Sequence, residues 1–322
     1  MFLIIIAYLV LACTFILAKT SLYYMQPFYF IAIRMFFAGF LLLGYVKLIK
    51  GQSLRVAKKD LYLFGQVMLF HIYGAFMLEF WSMQYLTSAK AALLYNLSPF
   101  ITALLCYLLF KQKLTVQKWI ALTMGFAGML PIMMYNSYKE SQSGSYMNVA
   151  LPDLVLLAGV VCACYGWLVV RELSGNRNYS FVLVNGIGMW GGGIMALITA
   201  IFIEKGGPFR WYTHHPDMMG QWLSTHFDVI TTTVIMAFLC MFLLIILANF
   251  IGYNLYAYLL AHYSPTFLSF AGFITPFLAG LLGCLFLGET ISAAFLISFG
   301  ITVVSLYVFY QDELTSQRIE KK

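Results

Sequence analysis

Apolar residues run along this chain in blocks of about 17–25, the length that carries an α-helix across roughly 30 Å of hydrocarbon. The blocks fall at 2–18, 27–46, 61–84, 88–110, 115–135, 151–170, 179–203, 234–261, 264–287 and 290–310. Short polar connectors separate most of them, and two longer ones span 136–150 and 204–230. The pattern predicts an all-α membrane protein of ten transmembrane helices.

Composition agrees. Of 322 residues, 62% are hydrophobic and only 10% charged, too few to clothe a soluble domain. The net charge of +7 lies in the connectors rather than on one soluble face, which argues against nucleic acid and for membrane orientation. With the N-terminus inside, the inside segments collect the cations of 47–59, 111–118, 171–177 and 318–322. The outside segments then hold only Lys19, Lys139, Lys205 and Arg210. A multi-pass protein of the inner membrane with both termini cytoplasmic is therefore expected. The opening block, "MFLIIIAYLVLACTFILA", lacks a basic leader, so it reads as a membrane helix rather than a cleavable signal.

Reactive chemistry is sparse. The six cysteines fall inside apolar blocks, without disulfide or zinc spacing. His214, His215, Asp217, His226 and Asp228 match no metal-site spacing. There is no P-loop, nucleophile elbow or zinc-protease helix, so no cofactor or metal is expected. The sequon Asn178-Tyr179-Ser180 falls on the inside, where it would not be glycosylated.

Two stretches repeat. "LTSAKAALLYNLSPFITALLCYLLFKQKLT" (86–115) and "YSPTFLSFAGFITPFLAGLLGCLFLGETIS" (263–292) align without gaps. Ser98-Pro99-Phe100 meets Thr275-Pro276-Phe277, Leu104-Leu105 meets Leu281-Leu282, and Gln112 meets Glu289. Each copy is the fourth block of five. Five is odd, so the second copy crosses in the opposite direction. The expected organisation is two inverted five-helix repeats, 1–135 and 151–311, around a central cavity. An outside connector, 136–150, joins them, and a cytoplasmic tail, 312–322, follows.

This doubled pattern of small residues, a mid-block proline and a loop glutamate followed by a hydroxyl residue resembles the drug/metabolite transporter superfamily, in its ten-helix EamA-type branch. "QPFYFIAIRMFFAGFLLL" is similar to that family's Pro-then-Arg segment, with Pro27 and Arg34 in the matching places. The likeness covers nearly the whole chain. It implies alternating-access transport of a small metabolite through a central cavity. Two departures stand out: the loop acid, Glu289, is replaced by Gln112 in the first half, and the first block carries no acid.

Charges inside the blocks are few, and a charge at the bilayer centre costs at least about 2.5–3.5 kcal/mol. Glu79 lies about 9 Å inside the outer end of its block at 1.5 Å per residue. Lys90 sits at similar depth across a short hairpin, and Arg34 at a comparable level. Three readings stay open: an ion pair that fixes packing, charges that hold substrate, or Lys90 reaching outward alone. Pro99 and Pro276 each remove a backbone hydrogen bond and bend a helix, as gating hinges or as static kinks. Further candidates for the cavity are His71, Tyr95, Asn96, Tyr165, Trp167, Trp190, Asn249, Tyr253, Asn254 and Phe273. Asn249 is expected to face the cavity or another helix, since a lipid-facing amide is unsatisfied. Gly188-x-x-x-Gly192 predicts a close helix approach.

An acid with two bases suits a zwitterion, an amino acid or a derivative of one. With aromatics at 18% of the chain, a nucleoside-linked amino acid of the S-adenosylmethionine kind enters the set. The expected function is a secondary active or exchange transporter. The alternatives are a translocator of lipids or amphiphilic drugs, and a membrane-embedded enzyme. The enzyme would need an acid/base pair at one depth, and only Glu79 and His71, two turns apart, are available. The expected partners are a small metabolite and the bilayer, with monomer and homodimer both open.

Overall fold

The computed structural model describes residues 2–86, 94–112, 114–141, 151–209, 229–275, 277–278 and 293–320. Among them the chain is helical, with one isolated bridge between Met25 and Phe209 and no strand. Helix α1 is Phe2–Tyr24 and α2 is Pro27–Gly44, extended by a π-helical turn, Tyr45–Ile49. Helix α3 runs Leu61–Gln66, widens into a π-helical segment, Val67–Gly74, and narrows again over Ala75–Met83. Then follow α4 (Ser98–Phe110), α5 (Val116–Ser141), α6 (Leu151–Arg171) and α7 (Phe181–Ile203). Helix α8 runs Val229–Leu244, a second long π-helical segment, Ile245–Gly252, and Tyr253–His262. Helix α9 is Pro265–Ala271, tightening to a 3-10 turn at Gly272–Ile274, and α10 is Ala293–Glu320.

Among the described residues six helices are long and apolar enough to cross a membrane: Pro27–Ile49, Lys58–Met83, Leu151–Asn176, Phe181–Ile203, Thr231–His262 and Ala293–Asp312. The protein is thus a multi-pass helical membrane protein. Several helices outlast their apolar blocks. Helix α10 continues into "QDELTSQRIE", because polar residues with good helix propensity carry on a helix that lipid has already nucleated.

Local chemistry sets the helix starts. Pro27 and Pro265 occupy the first helical turn, where a missing N–H costs nothing. Ser264 caps α9 by accepting from Phe267 N at 3.2 Å. Helix α2 is capped from far away: Phe28 N and Tyr29 N donate to Oε1 and Oε2 of Glu204, each at 2.9 Å. A carboxylate there meets both the free amides and the positive end of the helix dipole. Gln26 N donates to Pro208 O at 2.9 Å beside it, tying the same two chain ends together.

The closest helix pairs are α2 with α7 and α5 with α10. At the first crossing, a Cβ on Gly39 would lie 2.3 Å from Trp190 N, and a Cβ on Gly193 would lie 2.5 Å from Phe36 N. The contact is reciprocal: each helix offers a glycine to a bulky residue placed three positions before the other's glycine. On the expected Gly188-x-x-x-Gly192 face, Gly188 meets Val67 and Gly192 meets Ile72, so this stripe seats α3 on α7.

Opposite the Glu204 end, Tyr179 donates to Asp60 Oδ2 at 2.9 Å and accepts from Ala57 N at 3.1 Å. Arg177 lies 3.3 Å from Asp60 Oδ1 and 3.6 Å from Glu172 Oε1. The connector between α2 and α3 is thereby held to the one between α6 and α7. Asn178, inside the sequon, adopts a left-handed φ of 59°, a conformation asparagine tolerates better than most residues.

Candidate functional site

The interior charges gather where α2, α3, α8 and the segment leading into α4 meet. Arg34 on α2 is buried, and its Nε donates to Asn249 Oδ1 on α8 at 2.8 Å. Its guanidinium also lies over two rings, 6.0 Å from the centroid of Phe30 and 5.7 Å from that of Phe76. Glu79 on α3, 9% exposed, accepts a hydrogen bond from Tyr95 and lies within electrostatic reach of Arg34. Tyr253 on α8 is close enough to feel both charges. An acid, a base and two phenols thus share one buried region without Arg34 and Glu79 being locked in a direct ion pair.

A second group adjoins it. His71, in the π-helical segment of α3, is 1% exposed and packs edge-on to Trp167 of α6, with centroids 4.3 Å apart at 67°. Tyr253 lies 5.5 Å from the imidazole and 5.1 Å from Trp167. Tyr256, one turn further along α8, sits 4.3 Å from Trp167. Gly166 makes room for the imidazole, because a Cβ there would lie 2.4 Å from His71 Cβ.

Backbone irregularity positions these groups. A π-helical segment inserts an extra residue per turn and re-aims its side chains, and such segments recur at functional sites. Each of the two long ones ends on a glycine whose absent Cβ would press on the carbonyl oxygen five residues back. The distances are 2.9 Å from Gly74 to Leu69 O and 3.2 Å from Gly252 to Leu247 O. His71 and Asn249 both lie three residues before their glycine.

The other expected residues divide between the edge of this cluster and the packing around it. Trp190 is 40% exposed and serves the α2/α7 crossing. Tyr165 packs edge-on to Phe70 at 5.2 Å. Asn254 is occupied by Phe250 O at 2.8 Å and by Asn185 Nδ2 at 3.0 Å. Phe273 is buried against Phe270 and Gly125. Asn96 is buried beside Tyr95, with an Nδ2 that finds no hydrogen-bond partner among the described residues. Pro99 sits in the first turn of α4, just after a break at Asn96 and Leu97, and so starts a helix rather than bending one from within. Near it, Ser98 and Thr102 approach Ser269 of α9 at 3.5 and 3.3 Å. Lys90, Pro276, Glu289 and the histidines and aspartates of 210–228 lie outside the described residues.

Tyr256, Phe76 and Met35 join the site without having been expected there. Tyr256 was accessible from spacing, since it shares a helix face with Tyr253 three residues earlier. Met35, whose Sδ lies 3.3 Å from Asn249 Nδ2, carries no such signal.

Buried opposite charges beside aromatic rings, in a multi-pass helical membrane protein, are the features a carrier of small polar molecules needs. The chain matches the EamA-like transporter family over residues 1–134 and 150–311, and it belongs to that family. It is 27% identical, over 97% of its length and 89% of theirs, to the S-adenosylmethionine/S-adenosylhomocysteine transporter of Chlamydia trachomatis serovar L2. It is 26% identical to the protein of the same description in Chlamydia muridarum, over 97% of this chain and 92% of that one. The uncharacterized transporter YyaM of Bacillus subtilis is 23% identical over 60% of this chain and 61% of its own. A solved crystal structure, 19% identical, superposes with a TM-score of 0.70 over 99% of this chain and 98% of that one, which shows a common fold.

Proposed function

We propose that this transporter carries S-adenosylmethionine across the inner membrane in exchange for S-adenosylhomocysteine, by alternating access between two inverted five-helix halves. The observation that carries the proposal is the buried Arg34–Asn249 and Glu79–Tyr95 cluster beside the Trp167 and Tyr253 rings. An amino-acid moiety needs a cation for its carboxylate and an anion for its ammonium, and Arg34 and Glu79 supply one of each. Aromatic faces suit both an adenine ring and a sulfonium cation. The near-full-length relatives described as transporters of these two compounds support the same substrate pair. His71, Tyr95, Asn96, Trp167, Asn249 and Tyr253 complete the proposed binding region, with Lys90 assigned to it on charge alone. Tyr165, Trp190, Asn254 and Phe273 play supporting parts in packing.

The halves are residues 1–135 and 151–311, joined by the outside connector 136–150 and followed by the cytoplasmic tail 312–322. Three pairs of features support the repeat. The family matches the chain in two stretches, 1–134 and 150–311. The π-helical segments Val67–Gly74 and Ile245–Gly252 fall at equivalent places in the two halves. The Gly39 and Gly193 contacts mirror one another across the α2/α7 crossing. In this arrangement both termini are cytoplasmic, and the Pro99 and Pro276 segments act as paired gates.

The test is uptake of radiolabelled S-adenosylmethionine into proteoliposomes holding the purified protein. Uptake should accelerate when S-adenosylhomocysteine is loaded inside and should fall at least tenfold in Glu79→Gln. Absence of uptake with either compound on the far side would defeat the reading.

A further inference from the structure

We infer that His71 reads the edge of the purine in an adenosyl substrate, an assignment that rests on the transport reading above and names the base-binding part of the same site. A neutral imidazole carries one donor and one acceptor. In His71 both ring nitrogens are buried, and neither has a hydrogen-bond partner among the described residues. Buried polar groups are nearly always paired, so an unpaired pair of nitrogens needs an explanation, and a bound ligand supplies one.

The surroundings specify a ligand that is flat and aromatic with a polar rim. Trp167 stands edge-on to the imidazole at 4.3 Å, and Tyr253 is tilted against it at 5.5 Å. Rings of this kind are the partners on which bases stack, and here Trp167 and Tyr253 pack on one another at 5.1 Å. Gly166 holds the imidazole against the backbone of α6, limiting where its nitrogens can point. The counterpart position in α8 argues by contrast. Asn249 gives its oxygen to Arg34 Nε at 2.8 Å and its nitrogen to the sulfurs of Met35 and Met189 at 3.3 and 3.6 Å. One of these two polar residues is committed to the protein, and the other is free for a ligand. Glu79 lies eight residues beyond His71, at most about 12 Å along α3, since the π-helical part rises less per residue than the α-helical part. That separation is comparable to the reach of an extended adenosyl amino acid, placing base and amino-acid ends on one helix.

Adenine offers a 6-amino donor beside ring acceptors, whereas benzimidazole keeps the fused-ring shape without the 6-amino group, N1 or N3, so neither tautomer of the imidazole finds a partner along that edge. A site built on hydrogen bonds rejects an analogue that lacks the bonding groups far more strongly than an apolar site can. The experiment measures displacement of labelled S-adenosylmethionine from the purified protein by S-adenosylhomocysteine and by its benzimidazole analogue. The wild type should prefer the adenine compound at least tenfold. His71→Phe, which keeps a ring but no nitrogen, should bring the two within twofold, and His71→Gln, with a donor and an acceptor, should retain a preference. His71→Leu, smaller at the Gly166 contact, gives the same comparison if the phenylalanine variant does not fold. A wild type that does not discriminate, or an apolar variant that keeps the full preference, overturns the assignment. Failure of the wild type to bind either S-adenosyl compound defeats the transport reading instead, and that outcome is visible before any variant is made.

Discussion

The long π-helical segments of α3 and α8 use one backbone device for two ends. Both open the helix over eight residues and close on a glycine, and both present a fully buried polar side chain three residues before it. In α8 that side chain, Asn249, is saturated by Arg34 and two methionine sulfurs. In α3 it is His71, surrounded by rings and bonded to none of the described groups. Similar backbone thus supports an anchor on one side and the proposed recognition element on the other. The asymmetry is what the proposed exchange of one asymmetric molecule between two inverted halves requires.

The strongest way to test this contrast is to remove both polar groups in turn. Asn249→Leu strips a buried guanidinium of its acceptor and should cost about 2–3 kcal/mol in thermal unfolding in detergent, because hydrogen bonds to charged groups are worth that much. His71→Phe removes groups that are already unpaired, so its melting temperature should stay near that of the wild type or rise. Equal destabilisation by the two variants would erase the distinction. Next come the glycines. Gly74→Ala forces a methyl to 2.9 Å from a carbonyl oxygen and should cost about 1–2 kcal/mol. Gly252→Ala, at 3.2 Å, should cost less, and a reversed order would show that the two segments relax differently. Glu79→Gln should shift stability by less than about 1 kcal/mol, since the amide oxygen still accepts from Tyr95, while binding of S-adenosylmethionine falls at least tenfold. The smallest effect on stability is expected for Pro99→Ala, within about 0.5 kcal/mol. Its signature is a slower exchange rate with unchanged equilibrium binding.

Much of this was legible in the sequence, for identifiable reasons. Apolar block lengths marked the six described helices that are long enough to span, because lipid thickness enforces them, and the cost of burying charge singled out Arg34 and Glu79. The rule that mid-membrane amides face protein held for Asn249, which turns to Arg34 on another helix. The identity of that partner was not legible, as 215 residues separate the two and no local pattern encodes their meeting. One of the three open readings paired Glu79 with Lys90 across the hairpin; among the described residues its hydrogen-bond partner there is Tyr95, just before the turn at Asn96 and Leu97. The π-helical segments were hidden as well. Their only local trace is a glycine, and glycines are common in membrane helices for packing reasons alone.

The capping of α2 by Glu204 bears on how the protein is made. The amides of Phe28 and Tyr29 receive their carboxylate from a residue 176 and 175 positions later in the chain. At a synthesis rate of about 5–20 residues per second, that partner leaves the ribosome roughly 10–35 s after the helix it completes. Until then the start of α2 must keep its amides in water or against the insertion machinery. A ribosome stalled before Glu204 would leave behind a chain whose second helix lacks its cap.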